Sequence, residues 1–213
     1  MIYIITCKSA GNRINEVLNK LSMESVSIVD SFDFTWIESW NFLFNISKDF
    51  DKSDDCYDLS NGEIGCYLAH MEVFRRFLNT DEKFCSTFED DLDLPEYWRE
   101  VYKEALSICE KDNIPYCSLG NFGDFDRNSK RDFVKITGQY TRCTHAHIIH
   151  RELVKILYNK RFPICRPFDH FINHILKSMN IHTSLYFNPG FQQRKVKSLL
   201  KGNIVKSEYK IFI

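Results

Sequence analysis

The sequence lacks long apolar runs, closely spaced cysteine pairs and an excess of charge of one sign. No segment is long enough to cross a bilayer, and no charged leader with a long apolar stretch stands at the N-terminus. The eight cysteines include no Cys-x-x-Cys pair, which argues against a zinc ribbon. A net charge of −1 gives no general attraction to nucleic acid or to a membrane. We therefore expect a soluble, cytoplasmic protein with reduced thiols.

The composition is that of a globular protein with one core. Hydrophobic residues make up 44% and charged residues 27% of a 213-residue chain, which is ordinary for a soluble protein. A chain of this length forms one domain by default, and no repeat or low-complexity linker divides it. The 18 Phe and 10 Tyr residues predict a thick core or an aromatic-lined groove.

Strand and helix patterns alternate along the chain, which predicts an α/β fold. The predicted strands are Met1–Thr6, Ser25–Val29, Phe84–Phe88, Pro115–Gly120, Phe133–Thr137, His145–His150 and Ile181–Phe187. The turn signal Asn188-Pro189-Gly190 predicts the end of the last strand.

Four carboxylates follow the buried Phe84–Phe88 strand within five positions, at Glu89, Asp90, Asp91 and Asp93. Burying each carboxylate without a partner costs several kcal/mol, roughly. A divalent cation with oxygen ligands is a natural counter-charge, and open α/β sheets bind ligands beyond the carboxyl ends of their strands. The pattern predicts a metal-assisted site, and the alternative is a solvated acidic loop after an edge strand.

A helix with a capping box precedes the acidic strand. Ser60 and Glu63 form the box, while Glu63, Cys66 and His70 share one helical face beside the apolar stripe. The cap alone explains Glu63, and a satisfied, partly buried histidine explains His70. A ligand-binding role is the other interpretation of both residues.

Further candidate residues lie at helix starts and in the tail. Lys8 and Arg13 lie at a helix N-terminus, where the anionic groups of a nucleotide could bind, but the Gly-rich phosphate loop that would strengthen this interpretation is absent. Asp169 enters a helix after a Pro-bracketed loop, so it is either an N-cap or an acid/base group. Residues 191–213 carry a net charge of +5. Solvated lysines explain that charge most simply, and peripheral contact with an anionic membrane is the alternative.

Two segments together resemble glycosyltransferase family 25, which includes lipooligosaccharide and collagen galactosyltransferases. They are Leu59-Ser60-x-Gly62-Glu63-x-Gly65-Cys66-x-Leu68-x-His70 and Phe88-Glu89-Asp90-Asp91. Weaker agreement comes from Ile4-Ile5 with Arg13, Thr144-His145-Ala146-x-Ile148-Ile149, Pro167-Phe168-Asp169, and Pro189 with Gln192 or Gln193 and Ser198. The chain departs from the family pattern at Ala69, His147 and His150.

The resemblance implies a GT-A-like α/β fold, with a mostly parallel Rossmann-type sheet flanked by helices in a single domain, 1–213. Residues 1–120 would bind the nucleotide sugar, residues 121–190 would carry the acceptor and catalytic groups, and residues 191–213 would form a basic tail. It also implies metal-dependent, inverting transfer of a hexose, most often galactose, from a UDP-sugar to a glycan or protein hydroxyl.

The same resemblance implies roles for individual residues. Mn²⁺ or Mg²⁺ would be bound by Asp91 first, with Glu89 and Asp93 next. Asp169 would be the general base, because it matches the family's Pro-x-Asp motif. Independently of the resemblance, Asp124 and Asp126 in the polar loop 121–132 are rivals for this role. The donor would be contacted by Lys8, Arg13, Glu63, His70, Asp90 and His145, with Asp90 at the ribose.

Two other functions stay open. A degenerate domain of the same fold that binds sugar or a partner protein is motivated by the three departures. A different metal-dependent nucleotide enzyme, such as a nucleotidyltransferase, is the other, and the missing Gly-rich loop counts against it.

Overall fold

The computed structural model describes residues 1–7, 11–22, 24–30, 46–47, 59–120, 131–137, 143–162, 164–181, 183–194 and 210–211. The helices are α1 (Arg13–Lys20), α2 (Asn61–Leu78), α3 (Trp98–Lys111), α4 (Arg151–Asn159) and α5 (Phe168–Ser178). The strands are β1 (Ile2–Thr6), β2 (Val26–Asp30), β3 (Ile46–Ser47), β4 (Phe84–Glu89), β5 (Leu92–Asp93), β6 (Tyr116–Gly120), β7 (Asp132–Thr137), β8 (Ala146–His150), β9 (Thr183–Gln193) and β10 (Lys210–Ile211).

One eight-stranded sheet runs in the order β2-β1-β4-β8-β6-β9-β5, and β7 pairs with the first half of β9. Strands β1, β2, β4, β6 and β9 run in one direction, while β5, β7 and β8 run in the other. The prediction of a mostly parallel α/β sheet in a single domain is confirmed. Strand β8 lies antiparallel between β4 and β6, a position that its alternating sequence does not reveal. The short strands β3 and β10 pair separately.

Helices cover both faces of this sheet, which explains why its strands are apolar on both sides. Along β1, Ile2 and Ile4 pack against α1 and α3, whereas Tyr3 and Ile5 pack against α2, α4 and α5. Within the described residues, no helix has both the length and the apolar character that crossing a membrane requires. The two-sided packing fixes the strand ends, where the acidic residues lie.

Strand β9 is longer than the sequence predicts, and the predicted end at Asn188-Pro189-Gly190 is wrong. The strand continues to Gln193 through a cis Asn188–Pro189 bond and through Gly190, whose φ is +77°. Its register with β6 shifts between Ser118 and Gly120, so the chain bends without leaving the sheet. The extra residues bring Gln193 to the carboxyl end of β4.

Candidate active site

The acidic residues form a turn at the carboxyl end of β4. The Asp90 N–H donates to the Ile5 carbonyl at 3.0 Å, and the Glu89 N–H donates to the His145 carbonyl at 2.9 Å. These bonds attach the turn to the ends of β1 and β8. The site therefore occupies the edge of the sheet at which open α/β folds bind ligands.

Arg13 is a shared counter-charge for the two aspartates. Its guanidinium lies 2.7 Å from Asp90 Oδ1 and 2.9 Å from Asp91 Oδ2. Thr6 Oγ1 donates to Asp90 Oδ2 at 2.7 Å. Burial raises the pKa of both carboxyls, and Arg13 opposes this effect. The structure thus brings the predicted Arg13, Asp90 and Asp91 together.

Asp91 accepts hydrogen bonds from the end of β9 and from the residue that follows it. Gln193 Nε2 donates to Asp91 Oδ2 at 2.8 Å, and the Arg194 N–H donates to the Asp91 carbonyl at 2.7 Å. Its other oxygen, Oδ1, is buried and has no hydrogen-bond partner among the described residues. An orphaned buried carboxylate oxygen is unusual and suits a cation ligand.

Arg194 was missed as a site residue because the sequence assigned it to a basic tail. Its guanidinium donates to the Arg13 carbonyl at 2.7 Å, contacts the Asp90 carbonyl and pairs with Glu16. The signal that could have found Gln193 was its partial match to the family's closing motif; nothing comparable marks Arg194.

Glu89 lies at the centre of the site. Thr144 Oγ1 donates to Glu89 Oε1 at 3.2 Å, Cys66 Sγ lies 4.0 Å from the same oxygen, and His70 Nε2 lies 3.7 Å from it. Burial raises the pKa of Glu89 above its ordinary value. The helix motif and the Thr-His-Ala segment, distant in sequence, therefore meet at one carboxylate.

On the α2 face that carries Glu63, Cys66 and His70, the first two line the cleft described below, whereas His70 is buried. The capping box is confirmed, since the Ser60 N–H donates to Glu63 Oε2 at 2.8 Å and the Glu63 N–H donates to Ser60 Oγ at 3.2 Å. His70 is fully buried, and its ring stacks on Phe168 with centroids 3.8 Å apart. Burial lowers its pKa to about 3, so the imidazole is neutral. Neither ring nitrogen has a hydrogen-bond partner among the residues that the structure describes.

A cleft of about 250 Å³ opens over Glu89. Its lining residues are Glu63, Cys66, Glu89, Cys143, Thr144, His145, Pro167, Phe168, Asp169, His170 and Gln193. Asp169 Oδ1 accepts a hydrogen bond from the His170 N–H at 2.8 Å. The N-cap of α5 is Pro167, so the alternative that Asp169 caps the helix is wrong.

The remaining predicted residues have different positions. His145 lines the cleft, and its Nε2 donates to the Phe191 carbonyl at 3.0 Å. Asp93 does not join the cluster, because its side chain is 59% exposed and lies 3.4 Å from Lys20 Nζ. Lys8, Asp124 and Asp126 lie outside the described residues, as does all of the basic tail except 191–194 and 210–211.

The three departures from the family pattern are structural positions. Ala69 is completely buried in the core, and His147 is buried with its Nδ1 donating to the Thr144 carbonyl at 3.0 Å. His150 caps α4, since its ring accepts a hydrogen bond from the Glu152 N–H. None of the three lines the cleft, so they give no reason to infer a loss of its chemistry.

The model of glycosyltransferase family 25, described as LPS biosynthesis protein, matches residues 1–172. The chain belongs to glycosyltransferase family 25. As a member of this family, the protein is a glycosyltransferase, and the suspected resemblance is confirmed. The matched region includes Arg13, the α2 motif, the acidic turn and Asp169 but ends before Gln193.

One solved structure has a similar fold to this family 25 member, and two others match it with lower scores. A glycosyltransferase involved in glycosylation of the major capsid of PBCV-1 superimposes with a TM-score of 0.53 at 10% identity, covering 92% of this chain and 94% of that one. S. aureus TarS 1-349 superimposes with a TM-score of 0.46 at 12% identity, covering 91% of this chain and 59% of that one. The CMP:2-keto-3-deoxy-manno-octonic acid synthetase complexed with CTP gives 0.44 at 12% identity, covering 88% of each chain. No curated protein sequence matches.

Proposed function

We propose that the protein is a metal-dependent, inverting glycosyltransferase that moves a hexose, galactose by preference, from a UDP-sugar to a hydroxyl of a lipooligosaccharide-like glycan or of a protein. The observation that carries this proposal is the convergence at Glu89. Cys66 and His70 from the helix motif and Thr144 from the Thr-His-Ala segment surround it, and Asp169 lines the same cleft. A carboxyl group whose pKa is shifted by burial and that lies at an open cleft is typical of functional sites.

The charge balance supports an anionic donor that binds together with a cation. Arg13 pairs with the carboxylates of Asp90 and Asp91, and the neighbouring Glu89 adds a third carboxylate. The Arg194 guanidinium contacts the Asp90 carbonyl and pairs with Glu16. The buried Oδ1 of Asp91 offers a hard oxygen ligand, and Glu89 offers a second at the cleft. These residues fit Mn²⁺ or Mg²⁺, whereas the exposed Asp93 does not belong to the set. Such a cation would stabilise the charge that develops on a diphosphate leaving group.

The other residues of the site would bind and orient the donor. Thr6 and Arg13 fix the Asp90 carboxylate, whose remaining lone pairs suit the hydroxyls of a ribose. Arg13 is near enough to the acidic turn to contact a diphosphate bound there, and Glu63 and His145 line the cleft. His70 is fully buried behind Glu89, so we assign it a positioning role rather than contact with the sugar.

Asp169 is our choice for the general base. In an inverting displacement, the acceptor oxygen bonds to the anomeric carbon from the face opposite UDP, and the sugar–phosphate bond breaks with its electron pair going to UDP. The proton of the acceptor hydroxyl passes to a base on the acceptor side. Asp169 lies on α5 and lines the same cleft as Glu89, and its hydrogen bond from the His170 N–H holds the carboxylate in place.

The test measures UDP release from a panel of UDP-sugars, with Mn²⁺ or with a chelator. Asp91→Asn should lower release by more than about 100-fold, because several kcal/mol of leaving-group stabilisation are lost. Asp93→Asn is the matched control and should act as the unchanged protein does. Asp169→Asn should slow turnover about 100-fold or more while UDP binding changes little.

Full activity in Asp91→Asn, or equal losses in Asp91→Asn and Asp93→Asn, would remove the metal role of Asp91. Unchanged turnover in Asp169→Asn would mean that the base lies elsewhere. A nucleotide sugar that raises the melting temperature without any UDP release would favour the sugar-binding module.

A further inference from the structure

A second set of metal-binding side chains lies beside the proposed donor site. One ligand atom from each of Cys66, His70 and Glu89 lies within 4.8 Å of the other two. The Cys66 sulfur is 4.0 Å and His70 Nε2 is 3.7 Å from Glu89 Oε1. Around a tetrahedral zinc ion with bonds of about 2.0–2.3 Å, ligand atoms lie roughly 3.3–3.8 Å apart. A contraction of up to about 1.5 Å in the longest of these separations would therefore complete this geometry.

His70 independently indicates a missing ligand. Its side chain is fully buried, and neither ring nitrogen has a hydrogen-bond partner in the described part of the chain. Leaving a buried polar nitrogen unpaired costs stability, and the stacking of the ring on Phe168 explains its position but not its nitrogens. The nitrogen nearest Glu89 is Nε2, so the unsatisfied atom points into the cluster.

The neighbours of the cluster suit an open metal site. Thr144 Oγ1 donates to Glu89 Oε1 at 3.2 Å, the kind of outer hydrogen bond that orients a ligating carboxylate. Cys66 and Glu89 both line the cleft, so a fourth coordination position would face it. Three protein ligands and one open position are the arrangement of catalytic or exchangeable zinc sites.

We propose that Cys66, His70 and Glu89 form a binding site for Zn²⁺ or another thiophilic divalent cation, which shares Glu89 with the oxygen site at Asp91 but has Cys66 and His70 as its own ligands. Thiolate, imidazole and carboxylate ligands select such ions over Mn²⁺ and Mg²⁺. Binding forms one bond each to sulfur, nitrogen and oxygen and releases the Cys66 thiol proton, with any proton on Glu89, to solvent.

Because Glu89 is shared with the proposed donor site, a zinc ion here should weaken donor binding. This corollary rests on the proposed function. The metal site itself is tested without nucleotide, so its failure and the failure of the proposed function are distinguishable.

The experiment titrates the metal-free protein with Co²⁺ and then displaces it with Zn²⁺. We expect one equivalent of Co²⁺ to produce a sulfur-to-cobalt charge-transfer band together with the intense visible bands of tetrahedral cobalt, and Zn²⁺ to remove both. Cys66→Ser should abolish the charge-transfer band, and His70→Phe should weaken Zn²⁺ binding by more than about 100-fold in a competition assay with a chromophoric chelator. Cys143→Ser, which changes another cysteine of the cleft, is the matched control and should retain the band.

Three results would overturn the proposal. The first is cobalt binding without a charge-transfer band, which would assign the ion to the carboxylates. The second is a band that persists in Cys66→Ser, and the third is a band lost equally in Cys143→Ser. Circular dichroism of each variant separates loss of the site from loss of the fold.

Discussion

At Gly120 the backbone of β6 lies against the His145 imidazole and leaves no room for a side chain. A Cβ at this position would lie 2.6 Å from His145 Nε2, closer than side-chain carbons approach other atoms. The ring is buried and its Nε2 donates to the Phe191 carbonyl, so it cannot move without losing that bond. The family's Thr-His-Ala segment therefore depends on a glycine in a different strand.

Gly120→Ala should lower the free energy of unfolding by about 1–3 kcal/mol, the usual cost of overpacking. It should also weaken donor binding, because His145 lines the cleft. Denaturant unfolding followed by circular dichroism measures the first effect. Ser118→Ala, two residues earlier in β6, is the control and should be neutral or stabilising, since the buried hydroxyl has no hydrogen-bond partner within the described part of the chain. Equal stability of Gly120→Ala and the unchanged protein would contradict the close approach.

His70 makes stability depend on pH in a predictable direction. Its pKa is lowered to about 3 by burial, so below about pH 6.5 the unfolded chain binds a proton that the folded chain does not. The stability that the fold gains from burying a neutral His70 is therefore fully present above pH 6.5. It is lost as the pH falls toward 3. His70→Phe removes the effect. We expect the free energy of unfolding of His70→Phe, relative to that of the unchanged protein, to rise by about 1.4 kcal/mol for each pH unit below pH 6.5.

Denaturant unfolding of both proteins at several values between pH 7 and pH 5 makes this comparison. The carboxyl groups are common to the two proteins, so the difference isolates the histidine. Parallel stability profiles would show that His70 carries a proton in the folded state. Reduced donor binding in a stable His70→Phe would support its positioning role, and unchanged donor binding would make it purely structural.

At the scale of elements, the end of β9 holds the acidic turn and the start of α1 together. The Arg194 guanidinium reaches the carbonyl groups of Arg13 and Asp90, while Gln193 reaches the Asp91 carboxylate. These contacts join residues more than 100 positions apart. The shape of the proposed donor site thus depends on a strand that follows the family-matched region.

Arg194→Ala should lower the free energy of unfolding by about 2–3 kcal/mol, because charged hydrogen bonds to half-buried carbonyl groups are lost. Arg194→Lys should recover only part of this, since one ammonium cannot span two carbonyls as a guanidinium does. Arg75→Ala is the control. Arg75 is 53% exposed and pairs with Glu72 on the same helix, so its loss should cost less than about 1 kcal/mol. Similar losses in both alanine variants would remove the proposed role of Arg194.

At the scale of the whole molecule, the sheet is a single unit that includes its last long strand. Strand β9 lies between β6 on one side and β5 and β7 on the other, and it buries Leu185, Tyr186, Phe187 and Phe191. The core on the face of α1 and α3 includes three of these residues. We therefore expect cooperative folding to require residues beyond the family match, which ends at 172.

A chain that ends at residue 181 should lack a cooperative unfolding transition, because its sheet would lose the strand that pairs with β5, β6 and β7. A chain that ends at residue 194 keeps β9 with Gln193 and Arg194 and should unfold cooperatively. Calorimetry of the two truncated proteins makes the comparison. Cooperative unfolding of the shorter chain would show that β9 is dispensable.

The sequence by itself determined the elements and the family, because both depend on local information. Composition and hydrophobic pattern predicted six long strands of the described sheet and the first half of β9. The Ser60–Glu63 pair predicted the cap of α2, and two specific motifs identified the family. Only the tertiary structure decided which carboxylates share a site. Asp91 and Asp93 are two residues apart, yet one is buried beside Arg13 and Gln193 while the other pairs with Lys20 at the surface. Such a difference depends on contacts between distant segments, since a bend in β9 and the reach of Arg194 carry no signal in the local sequence around Asp91.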